Sequence, residues 1–419
     1  MKILISAFGF SPYRGSECAV GWNICNELAK MHDVTVLCGD VRGDCPTKQE
    51  LTRYYTKEGH SSPRKLRIEY LAPNILISGL EKIHKIPGLW MFYYFAYNLW
   101  QRKAYKHAKN LHAKYSFDVV HQLNMIGYRE PGYLWKLQAP FVWGPIGGAP
   151  NEPIAYYSMF NGMGRVRVVV RAMHNELQKR ICIRAKRAAR VAKKIWAVTD
   201  ADYRMISGLW GMECEKMVET GTILRNDGRV RNWDGKSPLR IIWSGIHTSR
   251  KALPVLLYAL SKVCNYDWRL DILGDGPENK SWKHLAETLG IAGRLLWHGM
   301  VAHDEALKIM DRGQVFAFPS LKEGTPHVVL EALSLGLPVI CHDACGMGTV
   351  VTRDCGFKIP LKDPETSIWG FVEALQAIAT EPGLIASKSL AAIERARELS
   401  WAAKARQISV AYERVVEGC

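Results

Sequence analysis

The chain has 419 residues, enough for two domains of about 200 residues each with ample core. Hydrophobic residues make up 48% and charged residues 23%, ordinary for a soluble globular protein, but the formal net charge of +16 is not. Such an excess points to an anionic partner: nucleic acid, a phosphate-bearing substrate or a membrane surface. The eleven cysteines stand singly with no CxxC pair, which excludes a zinc ribbon and reads as reduced thiols in a cytosolic protein. No apolar window reaches 18 residues, which excludes a spanning helix.

The N-terminus, MKILISAFGF, meets Pro12, Arg14 and Glu17 with no small-residue cleavage pattern, so it reads as a strand, not a signal peptide. Lys2 to Phe8 forms that strand, and GFSPYRGSE, Gly9 to Glu17, is a punctuated loop. Ser16 is placed to cap a helix carrying Val20, Ile24 and Leu28. Asp33 to Cys38 is the next strand and completes a βαβ unit. Nothing here matches GxGxxG. Gly274-Asp275-Gly276 later comes closer, but Asn279 holds the third glycine's place, which argues against nicotinamide binding.

Ile86 to Trp100, IPGLWMFYYFAYNLW, is uncharged and holds seven aromatic residues. Gln101 to Lys114 follows with Arg102, Lys103, Lys106, Lys109 and Lys114 and no acid. Aromatic bulk followed by cations fits a segment resting at a membrane interface. A second block, Gly164 to Lys194, has eleven Lys and Arg against Glu176 alone, a net of +10. Together they predict docking of the N-terminal half on anionic lipid. Between them DVVHQ, Asp118 to Gln122, reads as a strand with His121 at its carboxyl edge. Glu130 and the turn WGPIGG, Trp143 to Gly148, fall nearby.

Ile195 to Thr199 is a further strand, and TILRND, Thr222 to Asp227, leads into a second domain. There Arg240 to Ser244 is a strand, followed by Gly245 and the cations Arg250 and Lys251 at a helix start. A cation is slightly unfavourable at a helix N-terminus, so a bound anion would explain the pair. Arg269 to Leu273 is a strand ending in the turn Gly274 to Pro277. Leu295 to Gly299 is another, and His303 to Ile309 a helix. The stretch Val315 to Asp343 then reads strand, loop, helix, strand. Pro326 suits the first helical turn, Val328, Val329, Ala332 and Leu333 repeat at helical spacing, and Gly336 closes the helix. Ligands bind such units beyond the carboxyl ends of the strands. Glu323 in the loop and Glu331 in the helix suit sugar and ribose hydroxyls, with phosphate on backbone amides.

EGTPHVVLE, flanked by FPS and GLPVI, resembles the glutamate–seven–glutamate signature of family 4 retaining glycosyltransferases. The resemblance implies an α/β, GT-B fold: two Rossmann-like domains with parallel sheets facing across a cleft. It places an acceptor domain at 1–225, a nucleotide-sugar domain at 226–399, and a helix at 400–419 returning to the first domain. It gives Glu323 the transferred sugar, Glu331 the ribose, and Gly324 and Thr325 the donor. Lys251 matches the family's phosphate-binding lysine, but Ile246 stands at the usual arginine, Ala252 at the usual glycine, and Arg250 supplies the second charge. Gly245, Gly274 of the GDGP turn, and Gly15 and Ser16 of the N-terminal loop complete the donor set. His121 is carried over as a residue near the transferred sugar, giving His121, Lys251 and Glu323 as catalytic candidates. The family's glutamate after a glycine pair is absent from Cys345 to Thr349, and Asp227-Gly228 replaces a hinge Asn-Gly.

The implied activity is retaining transfer from a nucleotide sugar to an acceptor hydroxyl, in cell-envelope polysaccharide or glycolipid synthesis. No metal or other cofactor is expected, because Lys251 and Arg250 offset the diphosphate charge. The expected partners are the donor, a glycan or lipid-linked acceptor and an anionic membrane surface. The expected location is cytoplasmic, peripheral on the inner face of the plasma membrane. The rivals are a GT-B epimerase, a phosphorylase, whose pyridoxal lysine is not found, and a basic nucleic-acid-binding protein, for which no reading module is present.

Overall fold

The structure, a computed structural model, describes residues 1–40, 47–84, 86, 89, 91–160, 162–225, 228–263 and 266–418. Asn226 and Asp227 of the expected hinge, and Pro87, Gly88 and Trp90 of the aromatic segment, lie outside the described residues. The chain packs as two compact α/β units. One comprises Met1–Ala149, Gln178–Thr220 and Trp401–Cys419; the other comprises Pro150–Leu177 and Gly221–Ser400.

The first unit holds β1 (Lys2–Ala7), β2 (Asp33–Cys38), β3 (Leu66–Tyr70), β4 (Val119–Asn124), β5 (Phe141–Ile146), β6 (Ala192–Ala197) and β7 (Glu215–Lys216). They pair in parallel in the order β3-β2-β1-β4-β5-β6-β7. The second unit holds β8 (Leu239–Ser244), β9 (Trp268–Leu273), β10 (Leu295–Gly299), β11 (Val315–Phe318), β12 (Val339–His342) and β13 (Gly356–Ile359). Their parallel order is β10-β9-β8-β11-β12-β13. The inner strands β1, β4, β11 and β12 are buried almost throughout, as strands covered on both faces must be. The strand order reverses between β1 and β4 in one sheet and between β8 and β11 in the other. Such reversals open a crevice at the carboxyl ends of the strands.

The segment 150–177 departs from the expected division. Although it lies inside the N-terminal half of the sequence, it packs on the second sheet. Tyr156 is fully buried in that core with Phe160 and Val168. Its hydroxyl donates to Asp363 O at 2.8 Å and lies 2.5 Å from Ser367 Oγ. Burying such side chains contributes about 1.5–3 kcal/mol each, enough to fix where the segment packs. The final helix, Trp401–Glu417, belongs to the first unit through buried Trp401, Ala405, Ile408 and Tyr412.

WGPIGG, expected as a turn, is mostly strand: β5 continues through Ile146. Its register with β6 shifts between Trp143 and Ile146, and Pro145 falls within that irregularity, where a strand tolerates a missing N–H. The helix His327–Ser334 has Pro326 just before it, and Gly336 follows at φ 73. A left-handed residue there ends the helix cleanly.

Candidate active site

The site in the second unit grows from the carboxyl ends of β8 and β11, the pair at the order reversal. After β11 the chain passes Pro319 and Ser320 to reach Glu323. After β8 it passes Gly245 to the turn Ser249–Lys251. The two loops are tied by Leu321 N donating to Arg250 O at 3.0 Å and Arg250 Nη1 donating to Lys322 O at 2.6 Å. Across that tie Lys251 Nζ stands 2.7 Å from Glu323 Oε1, and Arg250 Nη1 stands 2.9 Å from Oε2. Ser320 Oγ donates to Oε1 at 2.6 Å. Both carboxylate oxygens are held.

Burial sets the strength of this cluster. The side chains of Lys251 and Glu323 are only 11% and 10% exposed, whereas Arg250 is 38% exposed. Burial alone would push the Glu323 acid up, but Lys251, Arg250 and Ser320 together hold it below the usual carboxylate range. Burial pulls Lys251 down, opposed by Glu323. The pair is read as ionised, since each charge is the other's principal compensation. Two cations against one carboxylate leave a net +1 facing any arriving anion. Lys251 Nζ also lies 4.6 Å from the Phe318 ring centroid. Ala252, where the resemblance calls for glycine, adopts φ 46 and ψ 36. That conformation costs an L-residue roughly 1–2 kcal/mol, so the turn that aims Lys251 is held by its surroundings.

Gly245 lies under Lys251, since a Cβ placed there would meet the lysine Cδ and Cε at 3.4 Å. Gly274 has φ 109, and a Cβ on it would come within 2.1 Å of Gly245 O. Only glycine permits that approach. His247 N donates to Asp275 O at 2.9 Å, which ties the two turns further.

Glu331 lies on the helix His327–Ser334, with Oε1 2.8 Å from His303 Nε2. That bond raises the His303 pKa above its ordinary value. Thr325 is buried, and Gly324 O accepts a hydrogen bond from Gly346 N at 2.9 Å. Lys322 turns from this loop to Glu152, at 3.5 Å. Glu152 is itself buried and also paired with Arg171.

The remaining candidates lie on the first unit. Gly15 and Ser16 are exposed; Ser16 precedes the helix Glu17–Leu28 at φ 54, and its side chain does not make the expected cap. His121 is fully enclosed. Its Nε2 lies 2.7 Å from Gly144 O and its Nδ1 2.6 Å from Tyr412 Oη, so a neutral ring donates to the carbonyl and accepts from the phenol. Burial lowers its pKa to about 4. This geometry gives His121 a structural role in place of the expected sugar contact.

Two features escaped the sequence reading. Glu17 is a buried carboxyl whose acid is pushed up to about 7, with Oε1 accepting from Ile126 N at 3.1 Å. The signal available was its place in the GSE turn. His247 is enclosed by Trp243, Trp282 and Trp297 with neither ring nitrogen hydrogen-bonded. No local pattern announced that cage. Among the described residues no cluster of three or more His, Cys, Asp or Glu side chains could hold a metal ion.

Residues 230–396 match the family model for glycosyl transferases group 1. A phosphatidylinositol N-acetylglucosaminyltransferase gpi3 subunit of Schizosaccharomyces pombe is 31% identical over 103 residues, 24% of this chain and 23% of that one. A D-inositol 3-phosphate glycosyltransferase of Rhodococcus jostii is 32% identical over 117 residues, 28% of this chain and 25% of that one. The matched stretches therefore span about a quarter of these relatives' lengths. Among solved structures, the apo lipopolysaccharide outer core galactosyltransferase WaaB has a TM-score of 0.64 at 16% identity, covering 99% of this chain and 100% of that one. Anabaena Alr3699/HepE in complex with UDP-glucose has a TM-score of 0.59 at 14% identity, covering 99% and 100%. The fold is GT-B.

Proposed function

We propose that the protein is a retaining, nucleotide-sugar-dependent glycosyltransferase, a reading supported by the match of residues 230–396 to the model for glycosyl transferases group 1. The observation that carries this reading is the paired hold of Lys251 and Arg250 on Glu323 at the β8–β11 reversal. A leaving nucleoside diphosphate carries roughly two to three negative charges, by analogy with phosphate ionisation. Fixed cations in a dry pocket stabilise that charge as it develops and need no reorganisation at the moment of reaction. Lys251 and Arg250 meet the diphosphate, while Glu323 accepts from hydroxyls of the transferred sugar. Glu331 accepts from the ribose, and the amides at the start of the helix His327–Ser334 face phosphate. No metal is required in this reading, because two side-chain cations already oppose the departing charge. The departing phosphate takes the acceptor proton, so no separate general base is needed.

UDP is the first nucleotide to test, since the HepE neighbour was solved with UDP-glucose. The names of the relatives and of WaaB, which act on phosphatidylinositol, inositol phosphate and lipopolysaccharide, favour a glycolipid or polysaccharide acceptor bound by the first unit. The membrane reading gains support from the helix Gly162–Ile181. Met163, Val166, Val170, Met173, Leu177 and Ile181 recur at helical spacing, each more than half exposed. Arg165, Arg167, Arg171, Lys179 and Arg180 lie among them, the pattern of a helix lying on an anionic surface. No helix among the described residues is long and apolar enough to cross a membrane. The exposed apolar and cationic residues of the helix Gly162–Ile181 support a peripheral enzyme, proposed to act at the cytoplasmic face of the plasma membrane.

Incubation with a panel of nucleotide sugars, with and without acceptor glycolipids, tests the reaction. Transfer predicts nucleotide release that requires acceptor. Epimerisation predicts a changed sugar with no acceptor, and a gel shift at physiological salt would reveal nucleic-acid binding instead. Sedimentation with vesicles tests the surface: equal binding to neutral and anionic vesicles would sink the membrane reading.

A further inference from the structure

The helix Met91–Tyr115 of the first unit has more apolar surface than its core contact uses. Ala96, Tyr97, Trp100, Ala104, Ala108 and Leu111 are buried and form its core face. Phe92, Phe95 and Leu99 recur three and four residues apart along a different stripe, and Arg102 continues it three residues on. With Leu80 of the helix Ile75–Ile83 they wall an open groove of about 690 Å³.

One end of this groove is cationic. Arg102 and Arg184 both line it, and both guanidinium groups converge on the Tyr133 hydroxyl, with Nε at 3.4 Å and Nη1 at 3.2 Å respectively. Arg184 also pairs with Glu130, which lines the groove as well, at 2.6 Å. Burial pushes the Glu130 acid up and Arg184 opposes that shift, so two guanidiniums stand against one carboxylate at this end. Leu80, Phe92, Phe95 and Leu99 make an apolar wall, and Tyr94 and Asn98 join Arg102, Glu130 and Arg184 as the polar part of the lining. On the same two helices Ile75 is 94% exposed, and Leu76 and Met91 are exposed as well.

We propose that this groove binds the hydrocarbon chain of a lipid phosphate, with the phosphate between Arg102 and Arg184, and that such a lipid carries the acceptor. Apolar walls leading to two guanidiniums match an amphiphile with an anionic head. The proposal rests on the transferase reading and names its acceptor class.

The test is titration of the full-length protein with farnesyl phosphate, farnesol and inorganic phosphate, each below its aggregation limit. Farnesyl phosphate is expected to bind at least tenfold more tightly than either of the others. Phe95→Asp and Arg102→Gln, both at exposed positions, are each expected to weaken it about tenfold. Their circular dichroism spectra establish that the variants fold. Equal affinity for the three probes, no binding of farnesyl phosphate, or variants that bind like the parent would overturn the proposal. A UDP titration of the same samples tests the donor reading separately, so failure of one is distinguishable from failure of the other.

Discussion

Lys251 lies over Gly245 and sets its Nζ 2.7 Å from Glu323 Oε1, joining the loops that follow two neighbouring strands. Each partner is buried, so neither charge is tolerable without the other. Lys251→Ala is expected to lower kcat by about 10²–10³, the range for loss of one preorganised transition-state contact. Glu323→Gln should lower kcat similarly and destabilise the protein by on the order of 3 kcal/mol, because it strands a buried ammonium. Steady-state kinetics with urea unfolding checks both. Parent-like turnover in both variants would refute the assignment.

Glu331 and His303 give a prediction that needs no turnover. Glu331→Ala is expected to weaken UDP binding about tenfold, as loss of a charged hydrogen-bond acceptor should. The same change removes the bond that holds the His303 pKa up, so its ring should titrate at lower pH. Following the ring by NMR across pH 5 to 8 detects it. An unchanged titration would mean that the 2.8 Å contact is not held in solution.

Tyr156 tests the placement of 150–177 in the second unit. Tyr156→Ala should cost about 3–5 kcal/mol, as for other buried aromatics cut to alanine. Tyr156→Phe keeps the ring and should cost only about 1 kcal/mol, the worth of its hydrogen bonds. Urea unfolding distinguishes the two. A small loss in the alanine variant would show that the segment does not pack there.

His121 predicts a pH dependence of stability. Its folded pKa, about 4, lies below the ordinary 6.5. Between those values the unfolded chain binds more protons, so stability rises with pH. The contribution is complete above about 6.5 and is lost as pH falls toward 4, with a full span on the order of 3 kcal/mol. His342, also lowered to about 4, acts in the same direction. His121→Gln should therefore flatten the pH 4.5 to 7 profile without abolishing it. Denaturation midpoints across that range measure the difference, and parallel profiles would contradict the structural role.

What the sequence disclosed was whatever rested on local pattern. The run Val315–Asp343 shows its strand, loop, helix and strand through periodicity and glycine, and Lys251 and Glu323 stand where their loops require. What it concealed depended on distant partners. His121 meets Tyr412, 291 positions away, so no neighbouring residue hints at its enclosure. The assignment of 150–177 turns on Tyr156, Phe160 and Val168, which the surrounding cations obscure. Gly144 and Pro145 read as a turn because those residues punctuate most chains, yet the register shift in β5 accommodates them. The apolar stripe of the helix Gly162–Ile181 was hidden for the same reason: its arginines drew attention to charge alone.

On the proposed function, the second unit grips a nucleoside diphosphate through Lys251 and Glu331. Calorimetric titration of UDP, ADP and GDP into the parent, Lys251→Ala and Glu331→Ala proteins tests it most directly. The expected result is micromolar binding of at least one nucleotide by the parent and at least tenfold weaker binding by each variant. Failure of all three nucleotides to bind, or equal affinity in parent and variants, would contradict it.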